Sequence, residues 1–232
     1  MIVFVSGTRT GLGLGLARWL LDAGHQVVGC SRKPSRLDHE RYRFHQVDLT
    51  DPDAVRSLFR SIRTEFGRLD GVINNAGTSV MNHFMTTPAA TVRAIFDINV
   101  FAALNASREA VKLLMKSDQP APGIVNISSV AVPWALDGQL AYSASKGAIE
   151  QATRVMSREL AGFNIRVNGV GLPPVETALT RTVPQDKIDG LVQRQALRRM
   201  CRIEDVVGPV DFLLSARSAF VTGEMIYLGG VR

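Results

Sequence analysis

Cysteine is scarce in this 232-residue chain: Cys30 and Cys201 are the only two, too few for a disulfide framework. Lysine is scarce too. Of the 27 basic residues, five are lysine and 22 arginine, and they are scattered, with no five-residue basic block and no interleaving with aromatics. The calculated pI near 9.8 therefore points to a solvated arginine-rich surface rather than a nucleic-acid groove. No continuous apolar run reaches the roughly 18–20 residues of a membrane span. The four histidines, His25, His39, His45 and His83, lack metal-ligand spacing, so no metal site is expected. Met1–Val5 runs straight into a glycine-rich turn and reads as a first strand rather than a signal sequence, and a reducing cytoplasmic setting follows as the expectation.

Short runs rich in Val and Ile alternate with longer amphipathic segments. Strands are predicted at Ile2–Ser6, Gln26–Cys30, Arg43–Val47, Gly71–Asn74, Gly123–Ser128, Asn164–Val170 and Glu224–Leu228. Helices are predicted at Leu12–Ala23, Pro52–Phe66, Thr91–Met115, Leu140–Ala161 and Glu204–Ser215. Strands without polar alternation suit a sheet buried on both faces, and the strand–helix–strand order implies parallel pairing with right-handed crossovers. The expected fold is a single α/β domain over residues 1–232, doubly wound, with a seven-stranded parallel sheet and helices on both faces. Its first half, to about residue 120, would bind a dinucleotide, and its second half would carry catalysis and a substrate lid.

Gly7, Gly11 and Gly13 follow the first strand and open the first helix. The spacing is Gly-x-x-x-Gly-x-Gly rather than the three-glycine fingerprint. Its physical logic is the same: tight backbone angles let a pyrophosphate approach a helix N-terminus, where free N–H groups and the dipole favour an anion. Gly7, Arg9, Gly11, Leu12 and Gly13 are the expected contacts. The second strand ends in Ser31, Arg32 and Lys33, 18 to 20 positions beyond Gly13. A carboxylate there would accept a ribose hydroxyl, whereas a 2′-phosphate needs positive charge. No acid is present, so Ser31, Arg32 and Lys33, joined by Arg9, predict NADP(H).

Tyr142 and Lys146 lie four residues apart inside a predicted helix, hence on one face. A phenol of pKa about 10 is a poor acid at neutral pH, and a neighbouring ammonium is expected to lower it. With these motifs in order, the chain resembles the short-chain dehydrogenase/reductases of the NADP-dependent type, similar to 3-oxoacyl-acyl-carrier-protein reductases, over nearly its whole length. The resemblance rests on the glycine turn, Asn74-Asn75-Ala76-Gly77, Ser128-Ser129, and Tyr142 with Lys146 thirteen and seventeen residues after Ser129. Asp48-Leu49 matches the family's adenine-side position, and Asn99 its helix asparagine.

That resemblance implies reduction of a ketone to a secondary alcohol, of a 3-oxoacyl thioester or a secondary-metabolite ketone. Tyr142 would donate the proton, Lys146 would tune it and hold the nicotinamide ribose, Ser129 would orient the carbonyl, and Asn99 would hold a relay water. Asp48, Leu49, Asn75, Ala76, Gly77, Val175 and Thr177 join the expected cofactor contacts. A homodimer or homotetramer is also implied, with a small carbonyl or alcohol compound as substrate and neither nucleic acid nor membrane as partner.

The chain departs from the family after the sixth strand, where the usual Pro-Gly is Leu172-Pro173, followed by Pro174. Proline fixes φ and removes an N–H donor, so this turn is expected to run differently. It keeps a second reading open, a non-catalytic NADP-binding regulatory member of the fold. Thr177–Arg199 is expected to form a lid of two short helices. Val132–Leu136 and Val80–Phe84 would line the pocket, with His83 and Gln139 as polar contacts.

Overall fold

The computed structural model describes residues 1–177, Thr180 and 183–230. Seven strands form one parallel sheet in the order β3-β2-β1-β4-β5-β6-β7. They are β1 (Ile2–Ser6), β2 (Gln26–Ser31), β3 (Tyr42–Gln46), β4 (Gly71–Asn74), β5 (Gly123–Ser129), β6 (Arg166–Leu172) and β7 (Met225–Tyr227). The chain starts at β1, moves outward to β3, then crosses back to lay β4 on the other side of β1. This reversal opens a crevice at the carboxyl ends of β1 and β4, where doubly wound sheets bind ligands.

Side-chain alternation along each strand divides the core. Val3 and Val5 belong to one apolar cluster and Phe4 to the other; Val27 and Val28, Val72 and Ile73, and Ile124 and Val125 divide in the same way. Helices α1 (Gly11–Asp22) and, near the C-terminus, α8 (Ile203–Leu214) cover the first face through Leu16, Leu20, Val206 and Leu213. Helices α2 (Pro52–Phe66) and α4 (Ala102–Leu114) cover the second through Val55, Phe59, Ala106 and Leu113. Asp51 caps α2 by accepting from the Asp53 and Ala54 amides, with Pro52 in its first turn.

The predicted helix Thr91–Met115 is three pieces: α3 (Ala89–Phe96), a π-helical turn (Asp97–Phe101) and α4. The stretch Ala89–Leu114 is long and apolar enough to cross a membrane by length and composition. Its Ala102, Ala106, Ala110 and Leu113 are nevertheless packed in the core. A short helix, α5 (Ala131–Trp134), follows β5 and leads to α6 (Leu140–Glu159). The expected pair of lid helices is one described helix, α7 (Gln185–Arg194). Residues 178, 179, 181 and 182 of that expected lid lie outside the described residues.

Candidate active site

The glycine turn is built by β1 and β2 together. The Gly7 and Thr8 amides both donate to the Cys30 carbonyl, at 2.8 and 3.2 Å, and Gly7 and Gly11 take φ of 77° and 60°. These positive angles favour glycine. Gly13 is required for space: a Cβ there would fall 2.8 Å from the Gly7 carbonyl carbon. Thr10 gives α1 no side-chain cap, and no acid lies in its first turn. The leading amides and the positive end of the dipole are thus left for an anion.

Beneath the turn, Thr8 Oγ1 and Tyr42 Oη lie 2.7 Å apart in a buried pair. On its outer side Arg9, Arg32 and Lys33 are exposed, and none is ion-paired with a carboxylate among the described residues. Ser31 Oγ donates to the Lys33 carbonyl at 2.6 Å, and Gln46 Nε2 donates to that of Arg32 at 3.1 Å, so this loop is held from within. Asp48 closes the next turn, its Oδ1 accepting from the Thr50 amide and hydroxyl, while Leu49 is buried.

Asn74-Asn75-Ala76-Gly77 leaves β4 stitched to β1. Ser6 Oγ accepts from the Asn75 and Ala76 amides, and Asn75 Nδ2 donates to the Ser6 carbonyl, each at 2.9 Å. The Asn75 amide nitrogen is therefore committed to β1, while the residue stays half-buried beside the crevice. Asn74 Nδ2 donates to Ser107 Oγ and Asn126 Oδ1, and Asn126 Nδ2 donates to Thr153 Oγ1, a buried polar ladder from α4 across β4 and β5 to α6. Gly77 lies against the reacting groups: a Cβ there would stand 3.5 Å from Lys146 Nζ and 3.3 Å from Asn99 Oδ1.

Ser129, at the end of β5, and Tyr142 and Lys146, one turn apart on α6, converge. Ser129 Oγ accepts from the Ala131 amide at 3.1 Å, and its hydroxyl lies near enough to the Tyr142 phenol to bear on its pKa. Lys146 Nζ lies 5.9 Å from the Tyr142 ring centroid and donates to the Ile127 carbonyl at 2.8 Å. Burial lowers the Lys146 pKa from 10.5 to about 8. Asn99 sits in the π-helical turn, a common site of functional irregularity. Its Oδ1 accepts from the Thr78 amide, and its Nδ2 donates to the Thr78 carbonyl and to Ser145 Oγ. Asn99 thus braces the Gly77 turn against α6, and its Oδ1, accepting one bond, keeps a second acceptor position.

A family model described as enoyl-(acyl carrier protein) reductase matches residues 7–230, every motif above included. The chain belongs to the short-chain dehydrogenase/reductase family. It is 27% identical to the 3-oxoacyl-(acyl-carrier-protein) reductase FabG of Escherichia coli, the alignment covering 99% of this chain and 96% of that one. It is 31% identical to mouse L-xylulose reductase over 97% and 93% of the two chains. Among solved structures it is similar to the aldohexose dehydrogenase of Thermoplasma acidophilum in ligand-free form. The TM-score is 0.90, with 27% identity over 99% of this chain and 93% of that one.

One expectation for this short-chain dehydrogenase/reductase needs correction. The Tyr142 pKa is raised, not lowered: burial acts first, partly offset by the nearby Ser129 hydroxyl, while the Lys146 ammonium is directed at the Ile127 carbonyl. His83 is exposed, its Nδ1 accepting from the Met85 amide. In the turn with two prolines, the Pro174 carbonyl accepts from the Cys201 amide, and Val175 pairs with Cys201 as an isolated bridge.

Thr177 sits across the crevice from the glycine turn, its Cβ 3.5 Å from where a Cβ on Gly11 would stand. The Val175 carbonyl is taken by Thr180 Oγ1 at 2.7 Å. The Val80–Phe84 loop is tied to the chain just beyond Val132–Leu136, the Asn82 amide donating to the Gly138 carbonyl at 2.9 Å. Gln139 is buried beside them, and Trp134 carries the Arg194 guanidinium of α7 4.9 Å above its ring. Sequence reasoning missed Ser6, Thr78 and Ser145 as the braces of this site. Only their adjacency to Gly7, Gly77 and Lys146 marked them. Among the described residues, no group of three or more His, Cys, Asp and Glu side chains is placed to hold a metal ion.

Proposed function

We propose that this short-chain dehydrogenase/reductase reduces a ketone to a secondary alcohol with NADPH, Tyr142 giving the proton. The observation that carries the reading is the convergence of Ser129, Tyr142 and Lys146 beside Gly77, at the crevice where the sheet order reverses. Bound there, NADPH supplies the hydride. The uncapped start of α1 and the Gly7–Gly13 turn would hold its pyrophosphate, and Thr177 stands on the opposite wall. Arg32, Lys33 and Arg9 suit a 2′-phosphate because no carboxylate competes for them, and Arg binds phosphate bidentately. Asp48 and Leu49 would border the adenine.

The Ser129 hydroxyl orients the substrate carbonyl and stabilises charge forming on its oxygen. Tyr142, kept as a neutral phenol by burial, donates Oη–H to that oxygen. Lys146 holds the ribose hydroxyls and the electrostatics of the phenol, while Asn99 fixes α6 against the Gly77 turn. The pocket loops are largely apolar, which suits a 3-oxoacyl thioester such as the FabG substrate or a secondary-metabolite ketone. Homodimers or homotetramers would form through α4 and α6, beside the half-exposed Phe101 that ends the π-helical turn, and the setting would be cytoplasmic.

NADPH consumption against a panel of ketones tests this. Turnover is expected, and Tyr142→Phe should abolish it while NADPH still binds. Undiminished turnover in Tyr142→Phe would remove the phenol from the mechanism. Tight NADPH binding with no turnover on any ketone would favour a non-catalytic regulatory protein, for which the Leu172-Pro173-Pro174 turn is the motive.

A further inference from the structure

Glu150 is the one acid of α6 that is almost fully buried, 4% exposed, and the mechanism above makes no use of it. It stands on the same helical face as Tyr142 and Lys146, at successive spacings of four. Its Oε1 accepts two short hydrogen bonds, from Ser128 Oγ and from Tyr227 Oη, each at 2.6 Å. Its Oε2 lies 3.9 Å from the half-exposed Arg154 guanidinium. Three elements therefore meet on one carboxylate: α6, β5 and β7.

The placement follows the strand. Ile127, Ser128 and Ser129 are consecutive at the end of β5. Lys146 Nζ holds the Ile127 carbonyl, Glu150 holds the Ser128 hydroxyl, and the third residue carries the hydroxyl that meets Tyr142. From the other side, Tyr227 reaches Glu150 across β6. Its ring lies over Gly171, with Cγ 3.1 Å from where a Cβ would stand. A buried carboxylate is poor value for stability alone, because apolar residues of similar volume usually serve as well or better. What its charge-assisted bonds provide is fixed geometry.

We propose that Glu150 is a positioning residue: by clamping β5 to α6 it sets the separation of the Ser129 hydroxyl from the Tyr142 phenol. It touches neither substrate nor coenzyme. The proposal rests on the ketone-reductase reading, and the experiment separates the two. Glu150→Leu removes the acceptor, Glu150→Gln keeps an oxygen acceptor for both hydroxyls, and Ser128→Ala cuts the β5 tie alone.

Displacing a reacting group by about 1 Å costs up to ~100-fold in rate. Glu150→Leu should therefore lower kcat about 10- to 100-fold, with KM for NADPH changed less than about twofold. Glu150→Gln should recover most of the loss, and Ser128→Ala should show a smaller fall in kcat. A crystal structure of Glu150→Leu should show Ser129 and Tyr142 drawn apart. Unchanged kcat in Glu150→Leu and Ser128→Ala, with only a lower unfolding midpoint, would overturn the proposal. If Glu150→Leu does not fold, Ser128→Ala decides on kcat. If the wild type turns over no ketone, the reductase reading fails. The crystallographic Ser129–Tyr142 separation then decides on the clamp, an unaltered distance in the variant refuting it.

Discussion

Lys146 burdens the fold in order to serve the site, and the burden has a size. Burial lowers its pKa from 10.5 to about 8, so the folded chain holds this proton less tightly than the unfolded chain does. Below pH 8 both states are protonated and the full penalty applies. A difference of about 2.5 pKa units corresponds to roughly 3 kcal/mol. Between pH 8 and 10.5 the unfolded chain still binds the proton and the folded chain does not, so stability rises with pH. Above 10.5 the penalty is gone.

Lys146→Met keeps an apolar stem of similar length, removes the ammonium and forfeits the hydrogen bond to the Ile127 carbonyl, worth about 1 kcal/mol. At pH 7 the variant should be about 2 kcal/mol more stable than the wild type, and inactive. The gap should close between pH 8 and 10.5 and reverse slightly beyond. Urea denaturation of both proteins from pH 6 to 11 measures it. Cys30 and Tyr42 also titrate late, but they are common to both proteins and cancel in the difference. A variant less stable than the wild type at pH 7, or a gap flat across this range, would falsify the burial argument.

Replacing Arg32 and Lys33 together by Ala should lower the preference for NADPH over NADH in kcat/KM by at least about tenfold, as expected for losing charge-assisted contacts to a phosphate. An unaltered ratio would move the 2′-phosphate elsewhere. Gly29→Ala would set a Cβ 2.6 Å from Thr8 Oγ1 and against the Tyr42 ring, under the glycine turn. It should cost about 1–3 kcal/mol of stability, seen as a lower thermal midpoint, and weaken NADPH binding. A neutral effect on both would mean that this packing is looser than it looks. Burial raises the Cys30 thiol to about 12 and that of Cys201 to about 11. A thiol reagent at pH 8 should therefore label the unfolded chain and spare the folded one, and labelling of the native protein within minutes would contradict this.

The sheet was readable from composition because its strands are buried on both faces: runs such as Ile2–Ser6 and Gly71–Asn74 carry apolar residues without alternation. Helix α2 was readable to the residue because its ends are chemical, Asp51 and Pro52 at one and Gly67 at the other. Where no local chemistry marks a change, the reading failed. Nothing between Thr91 and Met115 announces that Asp97–Phe101 widens into a π-helical turn, from which Asn99 reaches both Thr78 and Ser145. The lid was less legible, since its apolar positions are sparse and only Ile188 of α7 is buried.

The site was readable as a set of residue types but not as a set of partners. Spacing places Tyr142 beside Lys146 on a helix; it does not say that both lie deep enough for desolvation to outweigh their mutual attraction. Burial moves the two groups in opposite directions, the phenol above 10 and the ammonium down to about 8. Each neutral form gains, so at neutral pH Tyr142 is held in the protonated state that a proton donor needs.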